Sequence, residues 1–257
     1  MPFNYVSVEE GAAAPGLRMV VVSGVPSPWG EAAKGIFHVK GLDWKAVRLA
    51  YDDPDLATWT RQDLSGPIAF YNDEPPRSGW SDIIHLAERL APSPSLLPSD
   101  AGERALTFGL CHELVGEGGL LWTRRLQLVE WGLAGKKGFS PPVSQYLGGK
   151  YGYQEGSSKQ YANRTLSLLS LFAGRLIQQK KAGHRFYMGA EISALDIYSA
   201  AGMALFCPLD EEKCAFKPGL REAFSTLDEK TANGLDPILI EHRDMMYSEF
   251  LETPLSL

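Results

Sequence analysis

The sequence predicts an α/β domain followed by an all-α domain, on three observations. Near the start, a β-branched run at residues 17–22, a helical stretch and a second β-type run follow one another. Three prolines then fall within the seven residues Pro92-Ser93-Pro94-Ser95-Leu96-Leu97-Pro98, a segment that breaks helix and strand alike. Beyond it, almost every stretch carries apolar residues at helical spacing. The expected domains are residues 1–91 and 99–257, and a chain of this length supports two modest cores.

Within the first domain, Leu17-Arg18-Met19-Val20-Val21-Val22, bounded by Gly16 and Gly24, reads as a buried strand. A turn-rich loop, Ser23-Gly24-Val25-Pro26-Ser27, leads to Pro28, which suits the first turn of a helix because its missing N–H is not needed there. Ala32, Ala33, Ile36 and Phe37 carry that helix to Gly41, its expected stop. Residues 44–49 read as the next strand, so strand, helix and strand make a parallel unit with a right-handed crossover. Residues 51–65 read as irregular or weakly helical, and residues 66–71 as strand again. After the turn Asn72-Asp73-Glu74-Pro75-Pro76, Ser81 is the expected N-cap of a helix whose apolar face is Ile83, Ile84, Leu86, Ala87 and Leu90.

In the second domain, residues 101–134 form a long helical pattern bent at Gly116, Gly118 and Gly119. Residues 135–158, rich in Gly, Pro, Ser and Tyr, are expected to be a long loop. Its Tyr146, Tyr151 and Tyr153 either close over a pocket or pack the loop itself. Further helices are expected at 161–181, 193–205, 218–229 and 237–249.

Composition narrows the function. The net charge is -6, and no basic stripe is present to neutralise phosphates, which argues against nucleic acid. The pair Lys180-Lys181 ends a helix, where the helix dipole accounts for it. Three cysteines, Cys111, Cys207 and Cys214, are no disulfide framework and point to a reducing compartment. No CxxC, HxxxH or HExxH occurs, so no metal site is expected. No apolar run is long enough to span a membrane, and residues 1–15 hold two acids and no signal-type apolar core. The expectation is a soluble cytoplasmic protein.

Four segments carry a more specific signal. Ser27-Pro28-Trp29 lies between a strand and a helix; Gly66-Pro67-Ile68 precedes a strand; Trp80-Ser81-Asp82 opens a helix; and Ser193-Ala194-Leu195-Asp196 has the Ser-x-x-Asp form of a capping box. In this order the sequence resembles the glutathione transferase superfamily along essentially its whole length, closest to tau- or omega-like or bacterial classes. The resemblance implies a thioredoxin-like first domain that holds glutathione as co-substrate without a metal. It also implies a helical domain that shapes a pocket for a small hydrophobic electrophile, and a homodimer. It assigns glutathione contacts to Ser27, Pro28, Trp29, Gly66, Pro67, Trp80, Ser81 and Asp82. Two positions depart from the family pattern: Gly66 stands where Val is usual, and Trp80 replaces an acid, leaving Asp82 as the substitute. The first helix of the second domain usually borders the second-substrate pocket, which points to Cys111 and His112, with Tyr151 from the loop. Trp122 and Trp131 read as core.

The chemistry asked of Ser27 is activation of a thiol. Glutathione is mostly protonated at neutral pH, and the thiolate is the nucleophile. A hydroxyl donating to sulfur, together with the positive start of a helix, favours the charged form. A shift of one to two units, roughly 1.4 to 2.7 kcal/mol, makes thiolate abundant at pH 7. Ser23 is the alternative donor at the same strand end. A cysteine here would favour disulfide exchange instead. Conjugation to an electrophile is the expected activity. A non-catalytic glutathione-binding module and a glutathione-dependent lyase, peroxidase or disulfide reductase are the alternatives. Ser193 and Asp196 are expected to stabilise the fold.

Overall fold

Strand pairing in the first domain follows from alternation. In a computed structural model, which describes residues 4–257, β1 (Tyr5–Val6), β2 (Leu17–Val21), β3 (Trp44–Arg48) and β4 (Ile68–Tyr71) form one sheet in the order β1-β3-β2-β4. Residues 1–3, part of the expected first domain, lie outside the described residues. β2 and β3 run parallel, Leu17 opposite Trp44 through Val21 opposite Arg48, as expected, and β4 is antiparallel to β2. Successive side chains of a strand face opposite ways. Leu17, Met19, Val21 and Ala69 therefore pack under α2 (Pro28–Val39) and α4 (Trp80–Leu90), in a core that continues into the second domain. Val20, Val47, Ile68 and Phe70 form a separate cluster with residues of α1 (Val8–Ala13) and α3 (Pro54–Trp59). Trp59 stacks on Phe70 at 4.1 Å there.

The expected stop of α2 is present: Gly41 has φ 62°, a left-handed conformation that glycine adopts without a side-chain clash. One expectation in this domain is sharpened and one needs correction. Residues 51–65 include a capped helix, α3, because the Asp53 carboxylate accepts from the N–H groups of Asp55 and Leu56 and Leu56 is fully buried. Ser81 is not the N-cap of α4. That position is Gly79, and Ser81 lies inside the first turn. Trp80 packs near Phe108 and Tyr198, with ring centres 6.0 and 6.5 Å away, which draws the helix start upstream. The Asp82 carboxylate folds back so close to Gly79 that a Cβ there would stand 2.6 Å from its Oδ2.

The second domain is helical throughout: α5 (Ala101–Val115), α6 (Leu120–Leu133), α7 (Pro141–Tyr151), α8 (Ser158–Lys181), α9 (Ala194–Gly202) with a 3-10 turn at Met203–Leu205, α10 (Pro218–Ser225), α11 (Glu229–Gly234) and α12 (Pro237–Glu249). The expected bend at residues 116–119 is a complete break between α5 and α6, with Gly118 at φ 71°. The stretch 218–229 is likewise interrupted, because Asp228 caps a new helix by accepting from the Thr231 N–H. The expected loop at 135–158 is overturned by α7. This segment is poor in helix formers, yet Pro141 starts it and Gly152 at φ 68° ends it. Packing supplies what propensity lacks: a Cβ at Gly132 of α6 would stand 2.1 Å from Phe139 O and from Ser144 Oγ, so the two segments meet backbone to backbone.

The expected capping box opens α9. Ser193 N–H donates to Asp196 Oδ2 at 2.9 Å, and the Ser193 hydroxyl donates to the same oxygen at 2.5 Å. Asp196 Oδ1 accepts from the Tyr187 N–H and lies 2.9 Å from His242 Nε2 of α12. α9 meets α2 so closely that a Cβ at Gly35 would be 2.9 Å from Ile197 Cγ2. One apolar core thus runs through both domains.

Candidate functional site: a cleft between the sheet domain and the helices

The starts of α2 and α4 and the far ends of α5 and α7 face one another across a cleft of about 480 Å³. From the first domain it is lined by Trp29, Ser65, Gly66, Pro67, Ser78, Gly79 and Trp80. From the second come His112, Val115, Gly116, Glu117, Trp122, Lys150 and Tyr151. Its size and mixed lining suit a small organic ligand with a few polar anchors.

Each wall is positioned by identifiable contacts. The Trp29 indole donates to Val115 O at 3.0 Å, fastening the head of α2 to the end of α5. The Trp122 indole donates to Tyr151 O at 3.1 Å, fastening α6 to α7, and the two rings meet edge-on at 4.5 Å. Behind Trp29 and Tyr151, the Arg125 guanidinium lies 4.6 and 5.0 Å from their ring centres and donates to the Tyr151 hydroxyl. The Gly66–Pro67 peptide is cis. Gly66 is not required by its backbone angle; a Cβ there would meet Leu49 at 3.3 Å and Val20 O at 3.5 Å.

Electrostatically the cleft is biased toward anions. Gly79 and Trp80 bring the first turn of α4, with its unpaired N–H groups, into the wall. Lys150 contributes a cation whose pKa is pushed down by burial and by Arg125 and held up by Asp63. Glu117, also on the wall, is an exposed carboxylate.

The solved structures similar to this chain place it in a known architecture. A glutathione transferase family member from Pseudomonas fluorescens, with two glutathione bound, covers 94% of this chain and 94% of its own at TM-score 0.63 and 15% identity. A glutathione S-transferase domain-containing protein from Marinobacter aquaeolei covers 90% and 98% at TM-score 0.63 and 13% identity. A tau-class glutathione S-transferase from mango covers 90% and 98% at TM-score 0.53 and 20% identity. The fold is the glutathione transferase fold. No protein-family model and no curated protein matches the chain.

On the glutathione transferase fold, only some of the residues singled out from the sequence reach the cleft wall. Trp29, Gly66, Pro67, Trp80, His112 and Tyr151 come together on the cleft wall. Ser27 and Pro28 are buried at the head of α2 and are not part of that wall. Ser27 is 8% exposed, and its hydroxyl caps none of the amides of α2. Ser81 and Asp82 occupy the first turn of α4 beside it. Ser23 follows β2 and is partly exposed. Cys111, by contrast, is fully buried in the core, and burial pushes its thiol up, away from reactivity. Ser193 and Asp196 are in α9, in the shared core.

The sequence reading missed Ser65, Ser78, Gly79, Val115, Gly116, Glu117 and Lys150 on the wall, and Arg125 behind it. It also took Trp122 for core. One signal was available: Arg124 and Arg125 sit mid-helix among Leu120, Leu121, Leu126 and Leu128, and a charge inside an apolar helix face needs a partner. Among the described residues, no helix is long and apolar enough to cross a membrane, and no group of three or more His, Cys, Asp or Glu could hold a metal ion.

Proposed function

We propose that this cleft binds glutathione and that the protein conjugates it, through its sulfur, to a small electrophile. The carrying observation is the cleft itself, in which the cis Gly66–Pro67 segment, the head of α2 and the first turn of α4 converge. In this reading the backbone at Gly66–Pro67 takes the peptide of glutathione, and the start of α4 at Trp80, Ser81 and Asp82 takes its γ-glutamyl end. The sulfur lies toward Ser27.

The thiol proton leaves to solvent, the thiolate forms a bond to an electrophilic carbon, and the leaving group departs with its electron pair. For a model aryl halide that leaving group is chloride. Ser27 donates to the sulfur and lowers its pKa, and its hydroxyl is free for this because the helix cap does not use it. Disulfide exchange through a protein thiol finds no support, since none of Cys111, Cys207 and Cys214 lines the cleft. The second reading, a module that binds glutathione without turnover, draws on Trp80 in place of an acid and on the Asp82 carboxylate lying over the start of α4.

Calorimetric titration with glutathione and turnover of an aryl halide, on wild type and Ser27→Ala, test the proposal. The variant is expected to bind glutathione nearly as well, while its rate falls about tenfold to a hundredfold, the thiolate lost with one to two pKa units. Full rate in Ser27→Ala removes Ser27 as the donor and moves the role to Ser23. Binding without turnover in the wild type identifies the module.

A further inference from the structure

Arg124 and Arg125 are consecutive, both are buried, and they are treated differently by their surroundings. Arg124 donates Nε to Leu205 O at 3.0 Å, Nη1 to Gln127 Oε1 and Nη2 to Thr226 O. It is a tie between α6, the 3-10 turn and α10. Arg125 donates only to the Tyr151 hydroxyl; its Nε is buried with no partner, and among the described residues no carboxylate pairs with it. Lys150, on the cleft wall beside Tyr151, also pairs with no carboxylate. The carboxylates facing this corner are Asp63, which acts on Lys150 at longer range, and the exposed Glu117.

Two cations thus sit together at one corner, one of them nine-tenths buried, with no internal anion. Desolvated charge of this kind is unfavourable until an opposite charge arrives. The surfaces around it are aromatic. Trp29 and Tyr151 lie 6.1 Å apart, and Trp122 meets Tyr151 edge-on. Flat rings stack on such walls, where the Lys150 ammonium faces the cleft and the Arg125 guanidinium, behind the Trp29 and Tyr151 rings, adds its positive field.

We propose that the electrophile of this cleft is a planar, conjugated molecule bearing a carboxylate or similar anionic group, which Lys150 holds with Arg125 reinforcing the positive field from behind the wall. This rests on the cleft being a glutathione-dependent site, and the proposal names the substrate class for that site.

The test compares two aryl chlorides that react alike, 4-chloro-3,5-dinitrobenzoate and the uncharged 1-chloro-2,4-dinitrobenzene. In each, glutathione sulfur bonds to the ring carbon and chloride leaves with the bonding pair. Wild type is expected to favour the carboxylate by about tenfold or more in kcat/KM, mainly through KM, as for one charge-assisted contact. Lys150→Gln lowers that ratio and Lys150→Arg restores it. Arg125→Gln lowers it less than Lys150→Gln does, and the Lys150 pair keeps the test decisive if Arg125→Gln does not fold. Equal kcat/KM for the two chlorides in the wild type overturns the proposal. So does a Lys150→Gln protein that loses glutathione affinity but keeps the ratio, since the corner then serves glutathione's own carboxylate.

If neither chloride turns over, the glutathione reading is what fails, and unreactive ligands still decide this inference. 3,5-Dinitrobenzoate is expected to quench tryptophan fluorescence at lower concentration than 1,3-dinitrobenzene, with the difference lost in Lys150→Gln. Equal quenching overturns it.

Discussion

Glu31 shows how far one side chain departs from its ordinary chemistry. It lies on α2, 2.5 Å from Lys34, and burial raises its pKa from 4.5 to about 7 although Lys34 opposes the shift. A carboxyl raised on folding binds its proton more tightly in the folded state. Its contribution to stability is therefore present in full below about 4.5 and lost as pH rises through about 7. In urea unfolding between about pH 5 and about pH 8, wild-type stability relative to Glu31→Gln is expected to decline up to neutrality and then level off. A difference that is flat with pH, or rises, contradicts this. The same burial logic separates the cysteines from the cleft. Cys111 sits one residue before the wall-lining His112, yet the turn of α5 points it into the core. Sequence adjacency could not tell these two apart.

Elements with a strong local pattern were legible in the sequence. β2, α2 and β3 announce themselves by β-branched residues, Pro28 and Gly41, and α12 by Pro237 at its start. α7 was not legible and α3 only in part, for a shared reason: their helicity comes from caps and from packing on neighbours, which composition does not carry. α7 matters most, because it brings Lys150 and Tyr151 to the cleft. The start of α9 is the clearest element-scale test. The Asp196 carboxylate serves the Ser193 N–H and hydroxyl, the Tyr187 N–H and His242, whose other ring nitrogen is buried without a partner. Asp196→Ala strips all four and is expected to cost about 3 to 5 kcal/mol of folding stability. Urea midpoints measure it, and a loss under about 1 kcal/mol contradicts the account.

At the scale of the whole molecule, the two domains are joined by more than their linker. The linker is itself pinned to both: the Lys40 ammonium, 2.7 Å from Glu88 of the same domain, donates to Pro94 O at 2.6 Å, and the Ala194 N–H of the second domain donates to Leu96 O at 2.9 Å. With the Trp29–Val115 bond and the close α2–α9 contact, these fix the distance across the cleft. A site divided between two bodies keeps its geometry only if they are held this way. The proline-rich linker and the four motif segments made the architecture readable. The cationic corner emerged only when α6 and α7 were brought beside α2. A crystal structure of the protein soaked with glutathione tests the central claim most directly. The account predicts the tripeptide along Gly66–Pro67, its γ-glutamyl end at the start of α4 and its sulfur within hydrogen-bond reach of the Ser27 hydroxyl. An empty cleft, or glutathione bound elsewhere, contradicts it.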